Sequence, residues 1–165
     1  MECRIQAMLN IVLFEPEIPQ NTGNIARTCA CTGAHLHLVH PLGFDISEKR
    51  VRHAGLDYWS EVAITEYKSI DEFFSIHESD ELWFFSSHGK MLYSSVKYND
   101  DTYLVFGKES TGLGNEILSK YQRKSLYIPQ KESTRSLNLS NSVAIAAYSV
   151  LERWNFPGLG GKNNE

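Results

Sequence analysis

Three polar stretches hold residue types that can bind a ligand and handle a proton, and each follows a run that reads as a β-strand. The first runs from Glu15 to Arg27 and is stiffened by Pro16 and Pro19. Asn21, Thr22, Gly23 and Asn24 then offer side-chain amides and bare N–H groups at a helix N-terminus, which suits an RNA phosphate or ribose. Arg27 follows Asn21 by about 1.7 helical turns, so its long side chain can return to the same rim. The same residues also read as a well-capped helix with a surface arginine. The second stretch, Gly107-Lys108-Glu109-Ser110-Thr111-Gly112-Leu113-Gly114, has glycines that allow close backbone approach to a flat ligand such as adenine. It is neither a G-x-G-x-x-G fingerprint nor a P-loop, and a plain glycine turn would look alike. Its Glu109 is available to a ligand or to an arginine.

The third stretch, Ile128 to Ser142, alternates Leu137 and Leu139 with Ser136, Asn138 and Ser140, so apolar residues anchor it while polar ones face a site. It exceeds the usual ~2–6 residues of such a connection, and long ordered connections tend to be functional. That reading outweighs simple capping of the following helix. A fourth stretch, Lys49 to Trp59, sets Lys49, Arg50, Arg52 and His53 beside Tyr58 and Trp59, a local footprint for phosphate and base stacking. A solvated helix face fits it equally well. His35, His37, His40 and His77 show no nucleophile or metal spacing, whereas His88, with Gly89 and Lys90, could line a ligand mouth.

The elements that must position these loops alternate between short β-rich runs and helical stretches, the pattern of a mostly parallel sheet flanked by helices. The expected strands are Asn10–Phe14, His35–His40, Val62–Tyr67, Leu82–Ser86, Tyr103–Gly107 and Ser125–Ile128. Asn21 is expected to cap a helix ending before Gly33, Ser69 and Glu72 to form a capping box for Ile70–His77, and Asn115 to cap a helix through Tyr121. From Ser142 to Trp154, apolar residues recur every three or four positions with few charges opposite, which predicts a helix buried on more than one side, either inside the domain or at a subunit interface, with the interface favoured.

The chain of 165 residues suits one α/β domain over 8–158, with 1–7 as an N-terminal extension and 159–165 as a tail. With 42% hydrophobic residues it is neither disordered nor low in complexity. Sixteen Lys and Arg against twenty Asp and Glu leave a net charge of −4, so any nucleic acid must be held by a local patch. Cys3, Cys29 and Cys31 argue for a reducing, cytoplasmic setting rather than a disulfide framework, and they complete no zinc spacing. No apolar run approaches the ~20 residues of a membrane span, so a membrane partner is not expected.

Taken together, Pro16 to Arg27, Leu104 to Leu113, and Ile128-Pro129 through Arg135 to Ser140 resemble the three motifs of the SPOUT RNA 2′-O-methyltransferases, and the likeness runs from Met8 to about Gly158. The Lys49–Tyr58 segment and the lack of extra domains resemble the minimal TrmL-like branch, which methylates the wobble nucleotide of tRNA. The resemblance implies an α/β fold with a C-terminal deep trefoil knot, a homodimer, and S-adenosylmethionine as cofactor, released as S-adenosylhomocysteine, without a metal. It implies cofactor contacts from Phe85, Gly107, Ile128 and Ser136, with Leu113, Pro129, Leu137 and Leu139 nearby. It makes Arg27 the group that steers the reacting hydroxyl, with Asn21, Glu109, Ser136 and Asn138 in support. It implies a tRNA anticodon stem-loop, cytidine or modified uridine at position 34, as partner for Lys49, Arg50, Arg52, His53, Tyr58 and Trp59, in leucine isoacceptors. His53 stands where relatives often carry arginine. Methylation of another RNA, such as ribosomal RNA, and a non-enzymatic nucleotide- or RNA-binding module of the same fold are the competing readings.

Overall fold

The computed structural model describes residues 7–47 and 58–160. Seven strands form one parallel sheet: β1 (Met8–Phe14), β2 (His35–Val39), β3 (Ile64–Tyr67), β4 (Glu81–Phe85), β5 (Met91–Leu92), β6 (Asp101–Phe106) and β7 (Ser125–Tyr127). Their order across the sheet is β3-β2-β1-β6-β4-β7-β5. Strands β1 and β6 pair in the middle, from Met8 opposite Asp101 to Leu13 opposite Phe106. Beyond their first residues both are buried on each face, which is why they read as continuous apolar runs and not as alternations. All six expected strands are present with slightly shifted ends. The seventh, β5, is two residues long and too short to carry a pattern.

Among the described residues four helices cover the sheet: α1 (Pro19–Thr32), α2 (Ile70–His77), α3 (Asn115–Lys120) and α4 (Leu139–Arg153). On one face α1 and α4 meet each other and the sheet through Ile25, Ala26, Cys29, Val143, Ala146, Ala147 and Val150, packed on Ile11, Leu13, Leu104 and Phe106. The alanines let the backbones approach. On the other face α2 and α3 cover Val12, Phe14, Phe84 and Val105, with Phe73 fully buried among them. Burial of each such large side chain is worth about 1.5–3 kcal/mol. Cys29 lies inside this core, and burial pushes its thiol up to about 12, which leaves it inert as a nucleophile.

Three capping expectations are corrected. Ile18, not Asn21, occupies the N-cap of α1, because Pro19 starts the helix and the Asn21 side chain is engaged elsewhere. Gly114 caps α3, and Asn115 is its first residue. Ser69 does accept from the Glu72 N–H, but the Glu72 carboxylate reaches back to the Lys68 N–H instead of closing the box on Ser69. At the other end of α1, Gly33 takes the left-handed conformation (φ 72°) that stops the helix. Helix α4 begins at Leu139, three residues before the expected start, and Asn138 is its N-cap.

The histidines of β2 serve structure. Asn10 donates its amide to the Asp101 carboxylate (2.9 Å) and the Thr102 carbonyl (3.3 Å), so its oxygen faces His37 Nε2 (3.0 Å), which must carry the proton. His37 Nδ1 then accepts from the Tyr67 hydroxyl (2.8 Å). Burial, reinforced by the neighbouring His35 and His77, pushes the His37 imidazole down to about 3 from an ordinary value of 6.5. An unfolded chain binds a proton that folded His37 refuses, so this contribution is complete above pH ~6.5 and is lost on acidification. The expected slope is about 1.4 kcal/mol per pH unit down to ~3. Denaturant titrations across that window should show it, and His37→Gln should flatten it by one proton.

Candidate active site

The strand order reverses between β1 and β6: the chain leaves β1 towards β2 and β3, then returns to build the other half of the sheet beyond β6. Ligands of open parallel sheets collect at such a switch, outside the carboxyl ends of the strands. A cleft of about 550 Å³ opens there, within the range of small-molecule sites. It is walled by the segments after β1, β4, β6 and β7, and so joins the first, second and third polar stretches.

Glu109 draws those stretches together. Its carboxylate accepts from the backbone N–H groups of Glu17 (2.8 Å) and Ile18 (3.2 Å) and from Asn21 Nδ2 (3.0 Å). These are the donors that lead into α1, where Ile18 has no side-chain oxygen to offer and an anion is favoured. The helix start expected to receive an RNA phosphate is therefore filled by the protein's own carboxylate. The clasp is reciprocal, since Glu17 accepts from both the N–H and the hydroxyl of Ser110 at 2.9 Å. Those bonds hold the Glu17 carboxyl below its ordinary range. Beside it, Lys108 Nζ donates to Glu15 (2.6 Å), a contact that raises the lysine's pKa, and Glu15 itself has a left-handed backbone conformation (φ 51°).

The same network continues into the third stretch. Asn21 presents its amide to a carboxylate, so its oxygen must point the other way, where it accepts from Asn138 Nδ2 (2.9 Å). The Asn138 oxygen in turn accepts from the Ser140 N–H (2.8 Å) and hydroxyl (2.7 Å), capping α4. A carboxylate at one end and a backbone N–H at the other fix the direction of every bond between them. Gln130 closes the loop on itself by accepting from the Leu137 N–H (2.9 Å).

The floor of the cleft is apolar, with Phe85 and Phe106 stacked at 4.8 Å, and Leu113, Ile128 and Leu139 line it as well. Gly107 permits the tight return of the second loop: a Cβ there would lie 2.1 Å from the Gly112 carbonyl carbon. A flat, partly apolar ligand with hydrogen-bonding edges fits this combination of aromatic floor and bare backbone.

Of the residues expected at the site, Asn21, Phe85, Gly107, Glu109, Leu113, Ile128, Ser136, Leu137, Asn138 and Leu139 all border the cleft. Pro129 does not, and is exposed. Arg27 also lies outside it, exposed on α1 with its guanidinium 5.2 Å from the centre of the Tyr58 ring. Trp59 is half-buried against the core on the α1 and α4 side. Lys49, Arg50, Arg52 and His53 lie outside the described residues. Ser86, Ser87, Gln130 and Ser142 border the cleft without having been singled out, and His88 joins them as its place after β4 suggested.

Asn21→Asp tests the directional network. It replaces the amide donor with a second carboxylate facing Glu109, and should lower stability by about 1–3 kcal/mol at neutral pH. Denaturant unfolding should show the deficit, and it should shrink on acidification as the new carboxylate is protonated.

The SpoU rRNA Methylase family matches residues 8–148. A relative from Escherichia coli K12, named tRNA (cytidine(34)-2′-O)-methyltransferase, is 42% identical over 152 residues, 92% of this chain and 97% of its own. A solved structure described as giving structural insights into the 2-OH methylation of C/U34 on tRNA is 39% identical, with a TM-score of 0.85 over 91% of this chain and 98% of that one. A more distant SpoU methyltransferase, AviRb from Streptomyces viridochromogenes in complex with the cofactor AdoMet, shares the fold alone. It is 20% identical, with a TM-score of 0.79 over 91% of this chain and 59% of that chain. By the extent of the family match and the identity of a relative covered almost end to end, the chain belongs to the SpoU rRNA methylase family.

Proposed function

We propose that this chain is an S-adenosylmethionine-dependent RNA 2′-O-methyltransferase that modifies the ribose of the wobble nucleotide of tRNA, cytidine or modified uridine at position 34, leucine isoacceptors included. The observation that carries the reading is the cleft at the β1/β6 switch, where three loops resembling the family's motifs are tied by the Glu109–Asn21–Asn138 network. The relative and the solved structure that match nearly the whole chain bear names for that reaction.

Phe85, Gly107, Leu113, Ile128, Ser136, Leu137 and Leu139 would hold the cofactor, whose adenine suits the stacked Phe85–Phe106 floor and the bare backbone beside Gly107. The cofactor supplies a methyl group on a cationic sulfur, so the reaction calls on no metal ion. The chain's own residues must bring the ribose 2′-hydroxyl into line and steer its proton, and alignment of that kind contributes up to ~7–11 kcal/mol in favourable cases. A guanidinium offers five N–H donors and no acceptor, which suits Arg27 to positioning the hydroxyl and the adjacent phosphate, not to abstracting a proton. Ser136 and Asn138 would orient the third loop and the hydroxyl, and Asn21 and Glu109 would hold that loop against the first two.

Arg27 lies exposed on α1 and does not line its own cleft, so in a homodimer a second copy of the chain would bring it to the partner's site. Ile145 and Tyr148, exposed on α4, supply an apolar face for that contact. The third loop would complete the trefoil knot by threading, and the cytoplasm would keep the thiols of Cys29 and Cys31 free. Lys49, Arg50, Arg52 and His53 would meet the phosphates of the anticodon stem-loop.

Incubation with labelled S-adenosylmethionine and total tRNA should place the label on the 2′-oxygen of nucleotide 34. Label in ribosomal RNA, or none in any RNA, would overturn the assignment. In the same assay Arg27→Ala should lower turnover about 10²-fold or more while leaving cofactor binding by calorimetry unchanged.

A further inference from the structure

Arg27 is an exposed cation on the outer side of α1, and among the described residues it makes no ion pair or hydrogen bond. Its contact is with a ring: the guanidinium carbon lies 5.2 Å from the centre of Tyr58. Tyr58 is half-buried. It leads into a short helical turn at Trp59–Glu61, where the Glu61 N–H donates to the Tyr58 carbonyl (2.9 Å), and the Trp59 side chain is anchored on the core. That turn packs against α1, the helix that bears Arg27.

The choice of partner matters chemically. A carboxylate beside Arg27 would orient the guanidinium by occupying its N–H groups and cancelling its charge. An aromatic face attracts the cation through the ring quadrupole and leaves all five N–H donors and the full positive charge available. A group that must meet a ribose hydroxyl and a phosphate needs both.

We infer that Tyr58 is a positioning residue, whose ring holds the Arg27 guanidinium in place for the reacting ribose without consuming its donors. This rests on the part given to Arg27 above, and it moves Tyr58 from an RNA-stacking residue to a support of that arginine. The ring face does the holding, so the hydroxyl is dispensable to it.

Tyr58→Leu and Tyr58→Phe, assayed with S-adenosylmethionine and tRNA, test the assignment. Tyr58→Leu should lower kcat about two- to fivefold, the factor that corresponds to one exposed cation–π contact, with KM for tRNA and cofactor affinity unchanged. Tyr58→Phe should restore the loss. By NMR, the side-chain protons of Arg27 should be shifted upfield by the ring in the native protein and in Tyr58→Phe, and should return towards free arginine values in Tyr58→Leu. That readout reports the contact whether or not turnover survives. Arg27 resonances indifferent to Tyr58→Leu would overturn the inference, as would a raised KM for tRNA at unaltered kcat, or a Phe variant as impaired as Leu. Full turnover by Arg27→Ala would remove the arginine from the reaction and this inference with it. An inactive Arg27→Ala beside a fully active Tyr58→Leu would sink the inference alone.

Discussion

Three segments that arrive at one end of the sheet from distant parts of the chain have no reason to sit together unless something spans them, and the Glu109 carboxylate does so. It is the acceptor for two backbone N–H groups ahead of α1 and for the Asn21 amide. Because a carboxylate can only accept, Asn21 has a single usable orientation, and that orientation sets Asn138, which caps α4. One charge on the second loop thus decides the start of the first helix and the start of the last. The walls of the cleft follow from the same bonds, since Glu109, Asn21 and Asn138 are themselves lining residues.

The sheet makes this economical. With β1 and β6 adjacent and parallel, their carboxyl ends bring Glu15–Ile18 and Gly107–Ser110 within reach of each other although some ninety positions apart in sequence. The reciprocal pairs, Glu109 on the backbone of Glu17 and Glu17 on the backbone of Ser110, then act across a short gap, and Gly107 lets the second loop turn tightly enough to close it. Residues on the core side of the same strands, Leu13 and Phe106, are almost fully buried, so the loops stand on a base that does not move with them.

How much of this is legible in the sequence depends on the range of the interaction. The central strands announce themselves as apolar runs, and α4 as a 3.6-residue periodicity, because both patterns are local. Asn21 illustrates the opposite case: local statistics make an asparagine near a helix start a cap, and nothing nearby reports that a carboxylate 88 residues later supplies the capping while the amide turns outward. The pairing of Glu17 with Ser110 is invisible for the same reason. Strand β5 is missed because two residues hold no period, and the buried chain through Asn10, His37 and Tyr67 is missed because its members lie on three different strands. The loops themselves were legible as places where function belongs, through length and polarity. The bonds that order them were not.

A protein with a net charge of −4 is at first sight an unsuitable partner for a polyanion, yet three carboxylates beside the cleft are already engaged by the fold. Glu15 is held by Lys108, Glu17 by the N–H and hydroxyl of Ser110, and Glu109 by the donors ahead of α1. Each has its negative charge met by donors of the fold, which lowers the potential it presents outward. Arg27 is treated in the opposite way: its described contact is the face of Tyr58, which leaves its charge uncancelled. The local field is therefore set by which charges the fold has already answered, and the total over the chain is a poor guide to it. An acidic chain can bind RNA at such a place when its anions are engaged in holding loops and its cations are held by groups that take nothing from them.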